Sequence, residues 1–174
     1  ASVLGATSTN NWPSPNTAGL YFNGPTTRSF TTQEFNTLNG GYFKFDLIYS
    51  SPSTIGESPE SGEQVQLQYS KNNGSNWTPV ANYSTVTYGG GTWKTISVQL
   101  QGVLADPSIR LRLIQPTYTR TGGIFDTWGL DNVAMQLKTI TQVPDLYALR
   151  YEGFHFVRGL NRTNPIKFEI IFEE

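Results

Sequence analysis

Glu63-Gln64-Val65-Gln66-Leu67-Gln68-Tyr69-Ser70-Lys71-Asn72-Asn73-Gly74-Ser75-Asn76-Trp77 reads as a strand, a turn and the start of the returning chain. Val65, Leu67 and Tyr69 alternate with Gln64, Gln66 and Gln68. That two-residue period belongs to a strand with one face in a core and the other in water. Asn72 to Asn76 supplies residues that tolerate positive φ, as a hairpin turn requires.

The same grammar extends both ways. Upstream, Phe43, Phe45, Leu47 and Tyr49 share one face while Lys44 and Asp46 take the other, and residues 50–62 read as a long exposed loop. Leu20-Tyr21-Phe22 and Arg28 to Thr31 read as short strands around a Gly24-Pro25 turn. Downstream of a glycine turn at residues 89–91, Ile96, Val98 and Leu100 alternate with polar residues, and Ile109, Leu111 and Leu113 oppose Arg110 and Arg112. From Thr127 to Leu137 the parity changes near Asp131-Asn132, which a β-bulge reconciles with a single core. No window has the apolar spacing of a helix longer than two turns. Short strands punctuated by turns predict an all-β sandwich.

Composition agrees. Of 174 residues, 37% are hydrophobic, 13% aromatic and only 14% charged, with 17 Gly and 10 Pro. The apolar content is therefore aromatic and β-branched, set in turn-rich polar sequence. A net charge of −1 without a Lys/Arg run gives no footprint for nucleic acid. No apolar stretch approaches the roughly 18 residues of a membrane span, and Ala1-Ser2-Val3-Leu4-Gly5 does not read as a signal peptide. Zero cysteines exclude disulfide, thiolate-metal and Cys-nucleophile chemistry. Asn-x-Ser/Thr sequons begin at Asn73, Asn76, Asn82 and Asn161.

The expected organisation is an extended N-terminal arm over residues 1–18, a sandwich over 19–138 and a β extension over 139–174. The extension ends in the clearest alternation of the chain, Ile166, Phe168, Ile170 and Phe172 against Lys167, Glu169 and Glu173. A strand this apolar must pair, either within its own sheet or on a neighbouring subunit.

The stretch from Gly62 to Trp77, with its "LQYS" strand, Asn/Gly turn and Trp, resembles the reelin-type repeat. Ile109 to Pro116 resembles that family's "RLR..QP" strand, and Trp128-Gly129-Leu130-Asp131-Asn132-Val133 its closing strand; Gly24 to Arg28 adds a weaker match. The resemblance spans about residues 19–137. It implies a jelly roll of two antiparallel sheets in extracellular adhesion or recognition proteins, often with a structural calcium ion. The chain lacks that family's cysteines.

Catalysis finds little support. His155 is the only histidine, so multi-His metal sites are out and one imidazole base remains. Asp46, Glu57, Glu60, Glu63, Asp126 and Asp131 could pair as glycosidase carboxylates, but none falls in a catalytic motif, and Glu57, Glu60 and Glu63 read as solvated loop charge. Asp131 is the leading metal-ligand candidate, because a carboxylate in an apolar strand needs a partner. The alternative is an Asp bonded to backbone amides. Trp77, Tyr88, Trp93, Tyr118, Arg120 and Phe125 border turns and could stack on or bond a glycan, although Trp77 and Trp93 also suit hairpin or core packing. Arg110 and Arg112 could meet an acidic partner across a sheet face.

Two functions stand against each other. One is a non-catalytic recognition domain of a surface, secreted or virion protein that holds a glycan or protein through its loops. The other is a structural subunit, a virus decoration or fibre protein or an extracellular filament, forming homo-oligomers through residues 164–174 or the N-terminal arm. A glycosidase comes third.

Overall fold

The computed structural model describes residues 1–9, 19–50, 57–117 and 125–138. The chain divides into Ala1–Thr139 and Ile140–Glu174, and every described residue belongs to the first unit. The expected strand over residues 166–172, His155, Tyr118 and Arg120 lie outside the described residues.

Ten strands form two five-stranded sheets. They are β1 (Ser2–Leu4), β2 (Ala6–Thr9), β3 (Gly19–Phe22), β4 (Arg28–Thr31), β5 (Gly41–Tyr49), β6 (Val65–Ser70), β7 (Thr78–Tyr83), β8 (Lys94–Gln99), β9 (Arg110–Gln115) and β10 (Trp128–Leu137). One sheet runs β1-β4-β9-β6-β7 and the other β2-β3-β10-β5-β8. Every strand pair is antiparallel. The architecture is the sandwich expected from the alternation, and the jelly roll that the family resemblance implies. Among the described residues, one α-helical turn, α1 (Thr85–Tyr88), and a 3-10 turn at Gly102–Leu104 interrupt it, with the Ser84 hydroxyl accepting from the Thr87 amide at the N-terminus of α1. Among the described residues, no helix is long and apolar enough to cross a membrane.

The sheets begin earlier than the sequence suggests. Within the stretch read as an arm, Ser2–Leu4 pairs with β4 and Ala6–Thr9 with β3. Gly5, at φ +67, lets the chain pass from one sheet to the other. Strands of three and four residues at sheet edges carry no period-2 signature, and Val3 and Leu4 are exposed, so hydrophobic patterning could not reveal them. The predicted bulge is present. Pairing of β10 with β5 shifts between Asp131 and Ala134, and Asn132 has a positive φ of 50°.

The core joins the two inner faces. Phe43, Phe45, Leu47 and Tyr49 of β5 meet Val65 and Leu67 of β6 and Leu111 and Leu113 of β9. The Tyr49 hydroxyl donates to the Tyr83 carbonyl at 2.6 Å and accepts from the Val65 amide at 2.8 Å. This bonded hydroxyl ties the end of β5 to both strands of the facing hairpin, and burial pushes its pKa well above the ordinary tyrosine range.

A convergent carboxylate site at one end of the sandwich

Four polar side chains share the inward parity of the core strands and close it at one end. Arg28 precedes Phe30 by two residues, Glu63 precedes Val65, Asp126 precedes Trp128, and Gln115 follows Leu113. All four are buried. Buried polar groups need partners, and here they hold one another's backbones. Gln115 donates through Nε2 to the carbonyls of Glu63 and Asp126, each at 3.0 Å. Arg28 donates through Nη1 to the Asp126 carbonyl at 2.6 Å, the Phe125 carbonyl at 3.2 Å and Gln115 Oε1 at 3.1 Å, and through Nε to the Gly24 carbonyl at 2.9 Å.

This scaffold fixes two acid-bearing turns against each other. The Glu63 amide donates to the Glu60 carbonyl at 3.1 Å, closing a turn before β6. The Thr127 amide donates to the Glu57 carbonyl at 3.0 Å, tying that loop to the entry of β10. Asp126 is left-handed at φ 49°, a conformation that Asp tolerates better than most residues. As a result, carboxylate oxygens of Glu60, Glu63 and Asp126 all lie within 4.8 Å of one another. Glu63 and Asp126 are buried and Glu60 is exposed.

Neighbouring carboxyl groups favour the protonated form of Glu60. Hydrogen bonding to Glu63, then to Asp126, pushes the Glu60 pKa from 4.5 up to about 7. The donor set fits calcium. Oxygen ligands at roughly 2.3–2.6 Å from a central ion lie no more than about 5 Å apart, and the cluster offers hard carboxylate oxygens without nitrogen or sulfur.

A pH dependence follows. Between pH 4.5 and about 7 the cation-free folded protein keeps a proton that the unfolded chain has lost. Stability from this site is therefore fully present below pH 4.5 and declines as pH rises through 7. Urea midpoints of protein kept in chelator should fall across that interval.

The sequence candidates are placed differently. Asp131 lies apart from the cluster; its Oδ1 accepts from the Asn132 amide at 2.7 Å, while Asn132 Nδ2 donates to Asp46 at 2.6 Å. Trp77 lies under the Arg112 guanidinium, 4.1 Å from the ring centroid. Trp93 packs against Tyr21 and Ile48. Tyr88 meets Tyr83 edge to face at 5.3 Å. Of the candidate ligand-binding aromatics among the described residues, only Phe125 adjoins the carboxylates, immediately before Asp126.

Among solved structures, the chain is similar to a family 16 carbohydrate-binding module, at 13% identity and a TM-score of 0.44, over 75% of this chain and 84% of that one. It is similar to a CBM4 structure at 15% identity and 0.44, covering 78% and 80%. A third is TmCBM61 in complex with β-1,4-galactotriose, at 16% identity and 0.42, covering 77% and 83%. The Reelin subrepeat B family matches residues 6–136, starting inside β2 and ending inside β10. With that match running through nearly the whole two-sheet unit, the chain belongs to the Reelin subrepeat B family.

Proposed function

We propose that this chain is a non-catalytic, extracellular recognition domain whose loop end is fixed by a calcium ion at Glu60, Glu63 and Asp126. The observation that carries this reading is the convergence of the three carboxylates within 4.8 Å on a buried Arg28–Gln115 scaffold. Calcium would supply charge neutralisation and cross-link the loop before β6 to the turn before β10. Phe125 belongs to that second turn, and the sequence places Tyr118 and Arg120 just ahead of it. Cation binding would therefore fix the turn that carries Phe125, a candidate contact for a glycan or protein. Modules of this kind hold calcium weakly, with dissociation constants of about 10⁻⁴–10⁻³ M, and fill where calcium is millimolar.

The test is thermal unfolding in calcium. At a free concentration tenfold above the dissociation constant, stability should rise by about 1.4 kcal/mol, or about 3–6 °C for a chain of this length. Magnesium, which demands a tighter octahedron and keeps its waters, should give a smaller shift. Glu63→Gln and Asp126→Asn should abolish the calcium response, whereas Asp131→Asn should keep it. A melting point indifferent to calcium and chelator would refute the site.

A further inference from the structure

The β1-β4-β9-β6-β7 sheet has a one-sided charge. Its strands contain Arg28, Arg110 and Arg112 and no carboxylate. Arg28 is consumed inside the scaffold described above. Arg110 and Arg112 point the other way, because Leu111 between them and Leu113 after them are buried in the core. Val65 and Leu67 in the core likewise put Gln66 and Gln68 on the outer face, and the register sets Gln68 beside Arg112.

The outer face is organised. Arg112 donates through Nε and Nη2 to Gln68 Oε1, at 3.2 and 2.5 Å, while Gln68 Nε2 donates to Gln66 Oε1 at 3.0 Å. Trp77 supports the guanidinium from one side. Three of the five Arg112 N–H donors stay uncommitted by these bonds. Arg110 Nε is buried with no hydrogen-bond partner among the described residues. Neither arginine has an ion-pair partner among those residues. Asp106, an acid in the connection preceding β9, is bound to Lys71 at 3.0 Å, and Glu34, in the connection after β4, is exposed.

We infer that this sheet face binds an anionic polysaccharide bearing uronate carboxylates. Guanidinium groups recognise carboxylates with paired donors, and the part-exposed Gln66 amide suits a sugar hydroxyl. A polysaccharide fits better than an acidic peptide because β9 is paired on both sides, leaving no edge for strand addition at the arginines. The face is a different set of residues from the calcium-dependent loop end and goes beyond that reading.

Affinity electrophoresis in gels containing hyaluronan or polyglucuronate tests it, with the methyl esters of the same polymers as charge-free controls. The wild-type chain should be retarded by the acids and not by the esters, and retardation should weaken with salt. The double variant Arg110→Gln/Arg112→Gln should bind at least tenfold more weakly. Should it not fold, Gln66→Glu, which sets a carboxylate in the same outer row, should give the same loss. Failure to bind either acid, equal binding of the esters, or undiminished binding by the variants would overturn the proposal. Equal competition by poly-glutamate at matched carboxylate concentration would reassign the face to acidic peptides. Calcium-induced melting shifts, measured in parallel, report on the loop site alone, so either idea can fall without the other.

Discussion

Arg28→Ala should lower the unfolding free energy of this protein by about 3–5 kcal/mol in urea titrations. The side chain is fully buried and its four donated bonds reach three backbone carbonyls and the Gln115 amide oxygen. Removing it leaves those acceptors in the protein interior without a donor, and takes away a cation bonded to the backbone of Asp126. Losing one partner of a buried charged network costs about 3–5 kcal/mol, against a total stability of about 5–15 kcal/mol for a domain. Lysine should not rescue it. One ammonium cannot span acceptors that a planar fork reaches from two nitrogens, so Arg28→Lys should recover less than half the loss in urea unfolding. A lysine variant within about 1 kcal/mol of wild type would show that charge alone, not fork geometry, holds this end together.

Trp128→Ala should cost about 3–5 kcal/mol by the usual penalty for truncating a large buried aromatic. Trp128 is fully buried in the central strand of its sheet and stacks on Phe22 with ring centroids 3.7 Å apart and an interplanar angle of 3°. Its Nε1 has no hydrogen-bond partner among the described residues, so the indole contributes volume and ring contact. Trp128→Phe keeps a ring against Phe22 and removes that unmet donor. It should therefore cost only about 1–2 kcal/mol, a repacking penalty. Equal losses for Phe and Ala in thermal melts would point instead to an undetected role for the indole nitrogen.

How legible this was depends on which residues carried the signal. β5, β6, β9 and β10 announce themselves because one face is apolar and the other polar, and even the bulge at Asp131-Asn132 appears as a change of parity. β1 and β2 do not, being short edge strands with little to bury. The carboxylate site was legible in part and was misread. Glu60 and Glu63 stand in a Ser/Pro/Gly loop, where solvated charge is the ordinary expectation. Yet Glu63 lies on the Val65 and Leu67 parity, and Asp126 on the Trp128 and Leu130 parity. An acid that continues the core face one step beyond a strand end is aimed at the mouth of the sandwich. Asp131 drew attention for a better-known reason, a carboxylate inside an apolar strand, but its parity is outward, opposite to Leu130. The convergence of two distant acid-bearing turns depends on the pairing of Gln115 with both backbones, a long-range fact that local sequence does not hold.

The strand order also bears on how the protein comes into being. The central strand of one sheet is β9 and that of the other is β10, and these are the last two strands of the unit to leave the ribosome. Until they arrive, β4 lacks its link to β6 and β3 lacks its link to β5, so the nascent chain holds only isolated pairs such as the β6–β7 hairpin. Loop-closure entropy for contacts this distant in sequence slows folding. The two-sheet unit should therefore form late and in one cooperative step.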